Sequence, residues 1–203
     1  MPRPILLLFA HPALHRSRVN RPLLDAARTV DGVRVFDLYA AYPDFDIDVE
    51  EQKRLLLEHE IVVFQHPFFW YSSPAILKEW QDLVLQYGFA YGRGGDKLAG
   101  KSLLTAITTG GAAEAYCPAG HNHYTIDEFL RPFEQTADLC GMRYLPPFVV
   151  HGTHRLDERD FVEHAADYRA ALTRLADPSF DLASIDGDRL NGLGAGLSRE
   201  VTP

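Results

Sequence analysis

Three short apolar runs in this chain each lead into a set of residues able to do chemistry. After residues 5–9 the sequence reads Ala10-His11-Pro12-Ala13-Leu14-His15-Arg16-Ser17-Arg18-Val19-Asn20. After 61–65 comes His66-Pro67-Phe68-Phe69-Trp70-Tyr71-Ser72-Ser73-Pro74. After 103–107 comes Thr108-Thr109-Gly110-Gly111, then a longer stretch carrying Tyr116, His121 and His123. The first set has Ser17 and the N–H groups of a helix start, flanked by His11 and Asn20, with Arg16 and Arg18 as a local source of positive charge. Such a loop suits an anion, a phosphate above all. The second has four consecutive aromatic residues, which cannot all face one core and so must line a cleft or an interface. The third has paired glycines, where backbone approaches a ligand closely, beside hydroxyls that donate or accept.

Each set has a plainer alternative. Ser17 can serve only as a helix cap with His11 packed beside Pro12, the aromatic run as a subunit contact, and Thr108-Thr109-Gly110-Gly111 as an ordinary turn. Their convergence is what carries meaning. In a parallel sheet the loops leaving the strand carboxyl ends share one edge, where open α/β folds build their ligand sites. An anion loop, an aromatic wall and exposed N–H groups side by side suit a flat, polar-edged ring carrying a phosphate, which describes a flavin nucleotide. The first loop contains neither Gly-x-Gly-x-x-Gly nor a P-loop, so a dinucleotide fold and a P-loop fold are not indicated.

The elements that must position these loops follow from hydrophobic patterning. Strands are expected at 4–10, 33–38, 61–65, 103–108 and 144–150, the last slowed by Pro146-Pro147. Helices are expected after Ser17 or Asn20, between Asp48 and His59, at 74–87 with proline at its start, at 126–139 closed by Gly141, and at 156–175. An aromatic-acidic loop fills 39–48 and a glycine-rich excursion 88–100. Five strands alternating with five helices predict an α/β three-layer sandwich, a parallel sheet with helices on both faces. Residues 1–176 form the expected domain. Residues 177–203, with four glycines, scattered acids and few large apolar side chains, read as a tail, disordered or laid on the surface.

Composition narrows the function classes. The 203 residues are 46% hydrophobic and 24% charged, ordinary for a globular protein, and the net charge of −8 argues against a nucleic-acid footprint. No apolar run approaches the ~18 residues of a membrane span, and no secretory pattern opens the chain, so a cytoplasmic location is expected. Cys117 and Cys140 form no redox or metal motif and are expected as reduced thiols. His121 and His123 offer two ligands with no paired carboxylate, so no metal site is predicted. His151 and His154 read as hydrogen-bonded loop residues.

His11, Ser17-Arg18-Val19-Asn20, the run from Gln65 to Tyr71, Pro74-Ala75-Ile76-Leu77-Lys78 and Thr108-Thr109-Gly110-Gly111 resemble, in order and spacing, the flavodoxin-like NAD(P)H:quinone oxidoreductases. Tyr42-Pro43-Asp44-Phe45 and Tyr87-Gly88-Phe89-Ala90-Tyr91-Gly92 resemble one bacterial branch in particular, which includes the ancillary flavoproteins of glutathione-regulated potassium-efflux systems. The resemblance spans about residues 4–175. It implies a flavodoxin-like fold with strand order 2-1-3-4-5, a homodimer, and two-electron reduction of a quinone by NADH or NADPH through bound flavin. It places His11, Ser17, Arg18, Val19 and Asn20 at the flavin phosphate and ribityl chain. Phe68, Phe69, Trp70, Tyr71, Thr108, Thr109, Gly110 and Gly111 fall around the ring. Tyr116 stands where related enzymes carry a tyrosine near the flavin, and either His121 or His123 where they carry an active-site histidine. Phe69 departs from the pattern, at a place often held by glutamine. Relatives that bind FAD hold its adenosine with additional segments, and the tail here lacks aromatic residues after Phe180, so FMN is favoured over FAD. A membrane potassium-efflux protein is the implied alternative partner, with a peripheral position at the inner face of the cell membrane.

Overall fold

The computed structural model describes residues 1–194. Six strands form one parallel sheet: β1 Ile5–Phe9, β2 Val33–Asp37, β3 Ile61–Pro67, β4 Ser102–Thr108, β5 Arg143–Tyr144 and β6 Phe148–Val150. The order is β2-β1-β3-β4-β5, with β6 also paired to β4. The helices are α1 Asn20–Ala27, α2 Leu38–Ala41, α3 Val49–Glu58, α4 Ala75–Val84, α5 Ile126–Leu139 and α6 Glu158–Ala176. The flavodoxin-like order expected from sequence is the one observed.

β1, β3 and β4 are buried along their whole length and mostly apolar because both faces of each are covered. Alternation along them splits the interior in two. Leu6, Leu8, Val62, Phe64, Leu103 and Ile107 face one core, shared with Leu55 and Leu56 of α3, Trp80 of α4 and Phe133 of α5. Ile5, Leu7, Phe9, Val63 and Leu104 face the other, shared with Leu23 and Leu24 of α1 and Tyr168 and Leu172 of α6. The sheet is therefore a rigid shelf whose carboxyl edge fixes the loops.

Two differences from the expected elements have local causes. The fifth strand, expected as one piece over 144–150, is broken into β5 and β6. Prolines 146 and 147 have no N–H for the ladder. Pairing passes from Leu103↔Tyr144 to Ala106↔Phe148, three steps on β4 against four opposite, so one extra residue is bulged out. In the expected loop over 39–48, Asp37 accepts from the N–H of Ala40 and caps α2. The helix expected over 74–87 stops at Val84.

Of the segment after α6, the part up to Gly194 is described and packs closely. Leu190 is fully buried, and the side-chain amide of Asn191 accepts from Val149 N at 2.9 Å and donates to Val149 O at 3.0 Å. The remainder of the expected tail, 195–203, lies outside the described residues. Among those described, no helix is long and apolar enough to cross a membrane.

Candidate functional site

The loop after β1 is built around two local hydrogen bonds. His11 Nδ1 accepts from Ala13 N at 3.0 Å, which fixes the neutral ring with its proton on Nε2. Burial pushes the pKa of His11 below its ordinary value, so the neutral form persists. Ser17 Oγ accepts from Asn20 N at 3.0 Å, capping the start of α1 while leaving the hydroxyl hydrogen available. Arg18 is steered by α6: its guanidinium lies 4.8 Å over the Phe161 ring and 3.8 Å from the Glu158 carboxylate.

A buried polar chain runs beneath this loop. Tyr168 Oη donates to Gln65 Oε1 at 3.3 Å, Gln65 Nε2 to Asn20 O at 3.4 Å, and Asn20 Nδ2 to Thr108 Oγ1 at 2.9 Å. The carboxamide oxygen of Asn20 is buried with no protein partner among the described residues. A buried acceptor without a donor is costly, and the residue that carries it borders a hollow. That hollow, of ≈ 430 Å³, is bounded by His11, Ser17, Arg18, Val19, Asn20, Phe68, Phe69, Thr108 and Gly110. Its volume falls in the range of small-molecule sites, about 300–1,000 Å³.

The aromatic run folds back on itself. Ser72 N donates to Phe69 O at 3.0 Å, and Trp70 and Tyr71 both have left-handed backbone, φ 50° and 63°. Two successive positive φ values define a type I′ turn, which normally takes Asn-Gly. The turn divides the four aromatics. Phe68 is buried against Tyr116 and Phe129, Tyr71 stacks on Phe129 at 5.0 Å, and Trp70 stands 92% exposed. Tyr71 Oη reaches across to donate to Asn122 Oδ1 at 3.3 Å. Between them lies a second hollow of ≈ 410 Å³, bounded by Phe68, Phe69, Trp70, Tyr71, Gly111, Tyr116 and His121. The two hollows meet at Phe68 and Phe69.

The structure therefore gathers most of the sequence-identified residues on one edge, with two exceptions. Thr109 is fully buried and lines neither hollow; its hydroxyl donates to Gly111 O at 2.8 Å and braces the glycine turn. Of the two histidines, His121 lines the second hollow and His123, exposed at φ 62°, does not. The glycines are small for a reason: a Cβ on Gly110 would sit 2.9 Å from His154 Nε2, and one on Gly111 3.1 Å from the Tyr116 ring.

Sequence reading missed a fourth contributor. Thr153 and His154 complete the first hollow with Arg16, and His151 packs its ring 5.5 Å from that of Tyr116. The signal was present, since the loop after the fifth strand leaves the same carboxyl edge as the other three. The strand itself is legible over 144–150, but histidines read as hydrogen-bonded loop residues give no local sign that their loop lines a hollow.

Residues 3–172 match the flavodoxin-like fold family. The chain belongs to that family. It is 52% identical over 155 residues to the glutathione-regulated potassium-efflux system ancillary protein KefG of Pectobacterium carotovorum subsp. carotovorum, covering 76% of this chain and 85% of the relative. Among solved family folds, the general stress protein 14 of Treponema denticola, determined in complex with FMN, superposes with a TM-score of 0.81 at 38% identity, covering 85% of this chain and 99% of the other. An NADPH-quinone reductase from P. pentosaceus superposes with a TM-score of 0.74 at 32% identity, covering 82% and 95%.

Proposed function

We propose that this flavodoxin-like protein is an FMN-dependent NAD(P)H:quinone oxidoreductase. The observation that carries the reading is the adjacency of the two hollows, which share Phe68 and Phe69 in their walls, one lined by anion-suited groups and the other by aromatic rings. The similarity to a relative solved with FMN and to an NADPH-quinone reductase supports it.

The donor set fits the group. Ser17 with its free hydroxyl hydrogen, Arg18, the Val19 and Asn20 backbone at the start of α1, and His11 Nε2–H would hold the phosphate and ribityl chain. The orphaned Asn20 Oδ1 awaits a donor such as a ribityl hydroxyl. Phe68, Phe69, Trp70, Tyr71, Thr108, Gly110 and Gly111 would frame the ring, with Thr109 holding Gly111 in place. When bound, FMN would relay a hydride from a nicotinamide to a quinone, chemistry that no side chain here supplies. The protein's part is to seat the two substrates in turn, to exclude water behind Phe68 and Tyr71, and to offer hydrogen bonds from Tyr116 and His121 to the acceptor oxygen where negative charge develops.

Purified protein extracted and chromatographed should release one FMN per chain and oxidise NADH or NADPH with a quinone present. A colourless protein that neither FMN nor FAD reconstitutes would sink the reading.

The same reading includes a homodimer whose interface completes the second hollow. Trp70 at 92% exposure, with Tyr124 at 56% packed on Phe129, leaves aromatic surface uncovered beside that hollow, while Phe89 and Tyr91 pack against the core. Sedimentation should give a dimer at micromolar concentration; a fully active monomer of 22.8 kDa would overturn it.

A second reading rests on the 52% identity to a potassium-efflux ancillary protein: this chain docks on a membrane potassium-efflux protein as a regulatory subunit, with or without the reductase activity. Co-purification with such a protein from membranes, and a change in potassium efflux on deleting this chain, would support it. Unchanged efflux would remove it.

A further inference from the structure

The open edge of the sheet is closed by the segment after α6. β6 pairs with β4 on its inner side, and on its outer side the Asn191 amide takes both the N–H and the C=O of Val149, at 2.9 and 3.0 Å. Leu190 N donates to Pro147 O at 3.0 Å, so two residues act as a short added strand. The strap is anchored at both ends. Leu190 is fully buried, and the Arg189 guanidinium grips both oxygens of Asp127 in the first turn of α5, at 2.7 and 3.1 Å.

What the strap pins is the strand that delivers His151. Immediately beyond Val150, His151 Nδ1 lies 3.2 Å from Thr109 Oγ1. The Thr109 hydrogen is committed to Gly111 O at 2.8 Å, so its oxygen must accept and His151 Nδ1 must carry the proton. The ring then packs against Tyr116 at 5.5 Å and 43°. Phe68 and Phe129 meet other sides of Tyr116, at 6.2 and 6.3 Å. His151 is thus the polar member of the cage that sets the tyrosine over Gly111.

We propose that His151 is a positioning residue for Tyr116 and that the strap Arg189–Leu190–Asn191 is a working part of the substrate site, holding His151 in place. The inference rests on the reading of the second hollow as the site of the quinone. It gives a role to a segment beyond the matched family region, which ends at residue 172. Burial, reinforced by the charge of Arg189 against an opposing effect of Glu114, also keeps His151 neutral, consistent with a fixed tautomer.

The test uses the full-length protein as purified, labelled with ¹⁵N-histidine. The His151 nitrogen shifts should report an Nδ1–H tautomer in the wild type and a mixture of tautomers in Asn191→Ala. In steady state, His151→Phe, which keeps a ring but no donor, and Asn191→Ala should each lower kcat for a quinone about tenfold, with KM for the nicotinamide within about twofold and FMN content unchanged. His151→Asn, whose amide can donate to Thr109, should recover part of the loss. Arg189→Gln leaves Leu190 and Asn191 in place and reads the same coupling if Asn191→Ala folds poorly. An Nε2–H tautomer in the wild type, or wild-type kcat in both His151→Phe and the strap variants, would overturn the proposal. A wild type without FMN or quinone turnover would remove the functional reading instead, and the nitrogen shifts would still decide the strap.

Discussion

Asn20 and Thr108, 88 residues apart in sequence, are joined by a buried hydrogen bond of 2.9 Å between Nδ2 and Oγ1. The bond ties the first residue of α1 to the last residue of β4, and so the anion loop to the glycine turn. A buried hydrogen bond contributes about 1 kcal/mol, and an orphaned partner costs more. Thr108→Val keeps the shape and removes the oxygen, so FMN should bind about fivefold to tenfold more weakly. Fluorescence titration would measure this, and Asn20→Ala in a double-mutant cycle should be strongly non-additive with it. Additive losses would mean that the two loops are set independently.

The type I′ turn at Trp70 and Tyr71 stores strain. A non-glycine residue in left-handed backbone costs roughly 1–2 kcal/mol, less for asparagine. Trp70 is 92% exposed, so little packing offsets that cost within one chain. Trp70→Asn should therefore stabilise the monomeric fold by about 1 kcal/mol in urea unfolding, while weakening self-association and raising KM for the quinone. A destabilised variant would show that Trp70 is held by contacts this chain alone does not account for.

Much of this arrangement is legible from the residues. The runs at β1, β3 and β4 are mostly apolar, and their loops contain residues too polar or too aromatic for their surroundings. What the sequence hides is long-range geometry. Nothing local distinguishes Thr108, which bonds Asn20 at the hollow, from Thr109, which points inward to brace Gly111. That His121 lines the second hollow while His123 does not follows from how the loop closes and not from composition. The fourth loop follows a strand that is legible over 144–150, yet nothing in its own residues shows that Thr153 and His154 reach the first hollow. The partners of Asn191 and Arg189 lie 42 and 62 residues away, beyond the reach of any periodicity.

His66 makes folding stability depend on pH. It is fully buried beside Phe133, its Nδ1 donates to Pro67 O at 2.9 Å, and burial pushes its pKa from 6.5 down to about 4. Above pH 6.5 it is neutral in both folded and unfolded chains and costs nothing. Between 6.5 and about 4 the unfolded chain takes up a proton that the folded chain refuses, so stability falls as pH falls. At about 1.4 kcal/mol per pH unit, the loss across the window is about 3 kcal/mol. His11 and His151, also lowered by burial, add in the same direction. Urea unfolding from pH 7 to pH 4 should show a shallower decline for His66→Gln than for the wild type. Parallel declines would mean that His66 does not carry the effect.

Tyr116 and His121 border the second hollow beside Gly111, where a substrate oxygen would gain negative charge. A positioned donor there lowers the barrier, and general acid catalysis by one side chain typically contributes ~10²–10⁴-fold. Tyr116→Phe keeps the ring contacts to Phe68, Phe129 and His151 and removes only the hydroxyl. His121→Gln keeps a hydrogen-bonding group without the imidazole. Each should slow one hydride half-reaction by about tenfold or more while FMN content stays at one per chain, because the first hollow contains neither residue. His123→Gln, outside both hollows, should retain wild-type rates. Stopped-flow bleaching by NADH followed by reoxidation with a quinone separates the two steps. A change confined to KM would assign the pair to shaping the pocket, and wild-type rates in both half-reactions for both variants would remove them from the chemistry.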